Sequence, residues 1–518
     1  MFHLTQGNRS FLAKTTRGLL AAFLLAFFPV ASLGHAKLIR SQPKAKETLS
    51  QAPKLIELWF NEELEAGLNT IEVKDQQGTR VDRGEVTLSE GNKKAQIELG
   101  ELKPGIYTVL WKTLSADQHA IRGLFTFSVA VSSAPPASGT PGTSQTTGNT
   151  SMSTPMPAMS PEEDQGEQIS WGQTLVRWLS YLAMMTLFGG FAFRSLVLAP
   201  SFRRALDGAE RTQAGAASGR RALVLSWVSV VLLAVTSFAA LVLQASAVLD
   251  KSLGESFSPS LLARVLATGY GGSWSLQMVS VGAIGVILLL LTQRVRRNPS
   301  GQHSGLWWAG LVASAALLVA PSWTGHAVAS SKDFRLAVFT DWLHLLAGGF
   351  WVGGLFHLAL TLPPALPLLT KHRRTIALHQ VIRLFTRIAM PSVVLLVLAG
   401  LYNTWAHVPQ LQAFWLTAYG KTLALKLLLV GLMLVLGALN NFHFGKCAAR
   451  LVKAQKANSD ASVHAKLEEG FRRSVAFEAA LGVVVLLITA ILVFLTPARS
   501  HPAMTSSENE PTVVQDRR

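Results

Sequence analysis

Two hydrophobic periods divide the chain. Between residues 35 and 131, apolar and polar positions alternate over short runs: Leu55–Phe60, Thr70–Lys74, Ala95–Leu99, Tyr107–Trp111 and Leu124–Val129. A period of two predicts half-buried strands. Turn-forming sequences separate them, at Gln77-Gly78, Glu90-Gly91-Asn92 and Lys103-Pro104-Gly105. Several short strands in so few residues predict an all-β sandwich or barrel, immunoglobulin-like in its architecture. From 171 to 497 the pattern changes to long apolar stretches near the ~20 residues that a helix needs to cross a bilayer. We place eight spans at Trp178–Ala199, Leu223–Leu243, Trp274–Leu291, Leu306–Trp323, Leu336–Leu358, Ile388–Trp405, Leu423–Leu439 and Val475–Leu495. An all-α polytopic membrane domain of about eight helices therefore follows the β-domain.

The remaining segments read as processing and linking elements. Residues 1–34 combine Arg9, Lys14 and Arg17 with an apolar run from Leu19 to Val30, then small Ser32 and Gly34. Together these form a secretory signal whose removal leaves His35 at the amino terminus. Cleavage one small residue later, after Ala36, would discard that histidine. Residues 132–170, rich in Pro, Ser, Thr and Gly, predict a flexible tether, and 498–518 a disordered tail.

Charge fixes the orientation and removes one class of partner. The net charge of +17 sits largely in short segments between spans. Arg203, Arg204, Arg211, Arg220 and Arg221 follow the first span; Arg294, Arg296 and Arg297 follow the third. Lys371, Arg373 and Arg374 follow the fifth, and Lys446, Arg450, Lys453, Arg472 and Arg473 lie between the seventh and eighth. Alternate loops carry far fewer, so the basic loops face the cytoplasm of a bacterial inner membrane, and the β-domain and carboxyl terminus lie outside. Membrane topology accounts for the charge, and nucleic acid is not an expected partner. A single cysteine, Cys447, excludes an internal disulfide framework.

The candidate chemistry is metal binding. A terminal His35 offers its α-amine and ring Nδ1 as a chelate suited to Cu(II). Asp117 and His119, two apart before the last strand, would add a carboxylate and a second imidazole; a polar turn with a capping aspartate is the other reading of that pair. Met152, Met156 and Met159 in the tether are soft thioethers that favour Cu(I), so they are candidates for a relay.

These residues carry a resemblance. His35-Ala36-Lys37-Leu38 with Pro43, Leu58-Trp59-Phe60-Asn61-Glu62, and Asp117-Gln118-His119 with Gly123 and Phe125-Thr126-Phe127 resemble the periplasmic copper-binding CopC family. The resemblance implies a Cu(II) site at His35, Asp117 and His119. Gln118 departs from the glycine usual there, and the absence of methionine from residues 35–151 argues against a Cu(I) site in the β-domain. Gly400-Leu401-Tyr402-Asn403-Thr404-Trp405, Tyr419-Gly420-Lys421, Lys426 and Leu436-Gly437-Ala438-Leu439-Asn440 resemble the CopD membrane family. The two in one chain imply a CopC–CopD fusion associated with copper uptake or resistance.

Within the spans, Asp341 and His344 are three apart and share a helix face, and His326 lies just beyond the outer end of span four. An aspartate at a helix centre costs roughly 2.5–3.5 kcal/mol in a bilayer, so such residues face an interior or a cavity. Copper acceptance, haem ligation by paired histidines and interfacial hydrogen bonding are the readings of this cluster. Met184, Met185 and Met278 read mainly as packing. Glu478, at the depth of Arg383 and Arg387, reads as a structural ion pair, and Lys426 as a side chain that snorkels to the interface. Gly348, Gly349, Gly353 and Gly354 signal close helix approach.

The expected function is copper homeostasis: Cu(II) capture outside, then passage of copper to or across the membrane. Copper is the expected bound metal, and the lipid membrane and periplasmic copper chaperones are the expected partners. The chain has no G-x-x-x-x-G-K-[ST] phosphate loop, and no enzymatic activity is expected. An oxidoreductase using copper or haem, or a copper sensor or assembly factor, are the alternatives.

Overall fold

The structure is a computed structural model that describes residues 38–61, 63–114, 120–130, 170–249, 251–298, 304–323, 334–407, 412–453 and 461–495. His35, Asp117, His119, His326, the tether methionines Met152, Met156 and Met159, the leader and the tail lie outside the described residues.

Eight strands form a sandwich. One sheet has the order β1 (Leu38–Gln42), β3 (Leu55–Phe60), β6 (Lys94–Leu99), β5 (Asp82–Ser89). The other runs β2 (Thr48–Leu49), β8 (Ala120–Val129), β7 (Gly105–Leu114), β4 (Thr70–Lys74). All pairs are antiparallel except β2 with β8. The alternation in β3 puts Ile56, Leu58 and Phe60 inside, where they meet Ile71, Val73, Ile97, Val109 and Phe127. Each such side chain contributes about 1.5–3 kcal/mol on burial. The predicted turns are left-handed where they must be: Gly78 has φ 80°, and Glu90, Gly91 and Asn92 have φ of 53°, 65° and 60°. Gly123 stands opposite Trp111 in the β7–β8 ladder. A Cβ there would lie 2.3 Å from the indole ring, so only glycine admits the tryptophan.

Among the described residues, the helical half contains eight helices long and apolar enough to cross a membrane. The first is α1 (Trp171–Ala192), which runs through a π-helical turn, π1 (Phe193–Leu198), into α2 (Ala199–Ala205). Then come α3 (Gly208–Leu249), short α4 (Pro259–Leu266), α5 (Gly269–Arg297), α6 (Ser304–Leu317) and α7 (Val319–Trp323). The fifth span is α8 (Phe334–Gly348), π2 (Gly349–Gly353) and α9 (Gly354–Leu360). After these follow α10 (Lys371–His407), α11 (Ala413–Leu416), α12 (Ala418–Leu439), π3 (Asn440–Gly445), α13 (Lys446–Lys453) and α14 (Ala461–Leu492). Every expected span overlaps one of these rods, and the rods run longer because polar residues continue the helices past the apolar segment.

The glycines of the fifth span do what their spacing suggests. A Cβ on Gly353 would lie 2.1 Å from the Met185 carbonyl oxygen, and one on Gly189 would lie 2.3 Å from the Gly353 backbone. The α1 and π2 backbones therefore touch directly, and the bundle core is built on that contact. At one end of the bundle the basic segments meet: Arg373 binds Asp207 at 3.0 Å and the Ala205 carbonyl at 3.2 Å, and Arg374 pairs with Glu468 at 3.8 Å. The β-sandwich sits at the opposite end, against α3, α4 and α5.

Candidate functional site

In the sequence, Asp117 and His119 fall between strands β7 and β8. Leu114 pairs with Ala120, so residues 115–119, which include Asp117 and His119, are the hairpin connection. Strand β1 begins at Leu38, three residues after His35, and Leu38 stands opposite Phe60. The Phe60 ring packs edge-on against Trp111 at 5.4 Å, three residues before the end of β7. The described strand ends that flank His35, Asp117 and His119 thus converge on one end of the sandwich.

That end adjoins the interface with the helices. Leu68 and Leu114 form an apolar cluster with Val248 and Leu249 of α3. Lys112 Nζ donates to the Ala247 carbonyl at 2.8 Å, at the carboxyl end of α3, where cations are favoured. Arg264 of α4 donates to the Gly67 carbonyl at 2.8 Å. The Glu65 carboxylate accepts from the Gly269 backbone N–H at 3.0 Å, supplying the cap that Thr268 does not give to α5. Burial in this contact pushes the Glu65 carboxyl above the usual carboxylate range, against the lowering effect of the Gly269 N–H. From here a bonded path continues: Ser273 of α5 donates to the Ala320 carbonyl of α7 at 3.0 Å. Helix α7 leads into the segment that holds His326.

On the membrane side, Asp341 and His344 lie together on α8 as expected. Asp341 interacts electrostatically with Lys426 of α12 and Tyr181 of α1, and His344 with Lys426. Lys426 therefore faces a polar node between helices; the expectation that it snorkels to the lipid interface is corrected. A lone ammonium within the bundle is favoured next to a carboxylate more than next to hydrocarbon. The His344 Nδ1 is buried and has no hydrogen-bond partner among the described residues. Such an orphaned imidazole nitrogen is a suitable donor to copper. Trp342 Nε1 donates to the Ala315 carbonyl at 2.9 Å and ties α8 to α6. Among the described residues, His, Cys, Asp and Glu form no trio that would hold a metal ion; His326 lies outside them.

Three residues have roles that the sequence did not show. His357 is fully buried, with Nε2 2.9 Å from the Thr186 carbonyl and Nδ1 2.8 Å from Thr361 Oγ1. With both nitrogens bonded it locks α9 onto α1, a packing role that a lone histidine late in a span does not announce. Met433 is fully buried in α12, seven residues after Lys426 and seven before Asn440, on one helix face. Asn440 is the third, and it bears on Glu478. The ion pair expected between Glu478 and Arg383 or Arg387 is not formed among the described residues. Glu478 instead accepts from Asn440 Nδ2 at 2.9 Å, with the Trp351 side chain beside it. The face of α14 that carries Glu478 turns toward α12 and π2, away from the arginines of α10. Met184 and Met185 are buried as packing residues, with the Met185 sulfur 3.9 Å from where a Gly348 Cβ would sit.

Comparison with known proteins decides the family. The CopC domain model matches residues 38–130, the Copper resistance protein D-like N-terminal domain matches 167–333, and Copper resistance protein D matches 379–492. The Copper resistance protein D of Pseudomonas syringae pv. tomato is 30% identical over 325 residues, covering 62% of this chain and 96% of that protein. The chain belongs to the CopC/CopD copper-resistance family. Both CopC and CopD parts also align with a single relative, the copper transport protein CutJ of Bacillus subtilis, 27% identical over 92% of this chain and 77% of CutJ. A crystal structure of CopC from Methylosinus trichosporium OB3b is 28% identical, covers 18% of this chain and 94% of that one, and has a TM-score of 0.18. Membership of the CopC/CopD family makes this a multi-span membrane protein of copper homeostasis.

Proposed function

We propose that the CopC-like domain captures Cu(II) with His35, Asp117 and His119 and delivers it to the outer end of the helical domain. His344 receives the metal there, with Asp341 and His326 beside it. The observation that carries this reading is the docked interface: Leu114 packs on Val248, and the hairpin connection that holds Asp117 and His119 begins at the next residue. Delivery then needs no search through solution. The tether, with Met152, Met156 and Met159 as a candidate Cu(I) relay, keeps the β-domain at high local concentration whenever it leaves the interface.

The orientation follows from the same interface. The β-domain rests on the loop between α3 and α5, at the end away from the basic segments, and the positive-inside rule supports a periplasmic position for it. Soluble copper chaperones of that compartment are the partners that would load it. The role is binding and passage of copper, with no bond made or broken in a substrate. In cells, the chain should raise copper accumulation, and His344→Ala should return it to the level of cells lacking the chain while the protein stays in the membrane. Accumulation unchanged by His344→Ala would remove α8 from the route.

A further inference from the structure

We propose that Glu478 is a proton-binding site on the copper route, and that its proton is exchanged for copper as the metal passes the inner half of the helical domain. The inference rests on the transport reading and supplies what that reading lacks, a means of coupling copper movement to an ion gradient.

The carboxylate is 2% exposed, at the middle of the long helix α14. It lies five residues beyond Arg473, so its backbone is about 7–8 Å deeper than that basic boundary at 1.5 Å per residue. Its hydrogen-bond donor Asn440 and the neighbouring Trp351 both come from π-helical turns. Trp351 lies in π2, and Asn440 opens π3. Such turns recur at functional sites because they open the regular helical ladder. Asn440 is itself 7% exposed, and its Oδ1 is buried with no hydrogen-bond partner among the described residues. A Cβ on Gly437 would lie 3.2 Å from Glu478 Oε1, so the glycine leaves the carboxylate face open. One turn outward on α14 is Gly482, and a Cβ there would lie 3.5 Å from the Met433 methyl group, so a soft thioether side chain packs one helical turn from the carboxylate.

An isolated carboxylate in this setting is too costly to stay charged without a cation. Among the described residues none forms an ion pair with it. On α1, Arg177 lies over the Phe494 ring and is bonded to Tyr181. On α9, His357 is saturated by Thr186 and Thr361. Beyond π3, Lys446 lies over the Phe442 ring, and His443 packs on Phe444. His379, Arg383 and Arg387 are on α10, and Arg194 is in π1; none of them is paired with Glu478. On its own helix Arg473 pairs with Glu469, and Glu468 pairs with Arg374. The charge is therefore neutralised by a proton or by the cargo, one at a time. When copper arrives, the O–H bond of the carboxyl breaks heterolytically and the proton leaves to water. Copper keeps its oxidation state in this step.

The test uses the purified full chain in sealed vesicles that contain a pH-sensitive dye, with copper entry and lumenal pH followed together. In the wild type, copper entry should be accompanied by alkalinisation of the lumen. Glu478→Gln, which keeps the shape and the hydrogen bond to Asn440, should lose that pH change, and Glu478→Asp should retain part of it. Copper flux with an unaltered pH signal in Glu478→Gln, or lumenal acidification in the wild type, overturns the exchange alone. Absence of copper flux in the wild type overturns the transport reading and the exchange together.

Discussion

Gly353→Leu should collapse the membrane domain. A single Cβ at this position falls 2.1 Å from the Met185 carbonyl and 3.0 Å from the Gly189 Cα, so α1 and π2 must move apart before any larger atom is placed. Backbone cannot yield as a flexible side chain can. Separating the rods also strips Gly189 of its contact with the Gly353 backbone and Gly349 of its contact with the Phe188 ring, which belongs to the same buried cluster as Trp351. Overpacking of this kind costs about 3 kcal/mol or more, which for a domain of this size is a fall of roughly 6–12 °C in melting temperature. Gly353→Ala should show a large part of the loss. Gly282→Ala and Gly285→Ala in α5, where a Cβ meets nothing within 4 Å, should leave the melting temperature unchanged or raised. Thermal unfolding in detergent checks all four, and a stable Gly353→Leu protein would show that the α1–π2 crossing is not the keystone of the bundle.

Loss of His35 should abolish tight Cu(II) capture. The proposed site combines a terminal amine, two imidazoles and a carboxylate, and His35 supplies two of those donors as one chelate ring. His35→Ala keeps the amine but removes the ring, leaving His119 and Asp117 without the chelate. Changes to groups that merely hydrogen-bond a metal ligand cost about 10–100-fold in affinity, so removal of a direct ligand should cost more than about 100-fold. Cu(II) titration of the purified, signal-cleaved chain, followed by the paramagnetic resonance of the bound ion, reads this directly. His372→Ala, at the basic end of the bundle, should titrate like the wild type. Equal affinity in His35→Ala would place the cupric site elsewhere in the chain.

The parts of this molecule that were legible in advance are those set by period and by steric need. Strands β3 and β4 were read with their ends in place, because alternation in Leu55–Phe60 and Thr70–Lys74 survives intact into the sheet. Strand β5 was not read: Asp82–Ser89 is an edge strand with no fully buried residue, and it carries little apolar signal. Strands β7 and β8 run further than their apolar cores suggest, to Leu114 and from Ala120, because pairing across the hairpin extends past the alternating residues. The span count and the glycine contact were likewise visible, since both follow from residue size and hydropathy. What a single sequence withholds is which faces of different helices meet. Glu478 and Arg383 share a depth, yet the carboxylate turns to Asn440 and Trp351. Lys426 looked like an interfacial side chain until α8 brought Asp341 beside it. The interface between the β-domain and the helices is of the same kind: Glu65, Lys112 and Gly269 bear no mark of their partners when read in order.

That interface is where the account is most exposed. Glu65→Arg with Lys112→Glu places a cation against the amino end of α5 and an anion against the carboxyl end of α3, each the unfavourable sign for its helix terminus. Neither residue belongs to the proposed copper ligands, so the double variant should bind Cu(II) with unchanged stoichiometry. Copper flux into sealed vesicles is the direct measurement. Delivery through the docked β-domain predicts that flux in the double variant falls well below the wild-type rate; equal flux with the β-domain detached would contradict it.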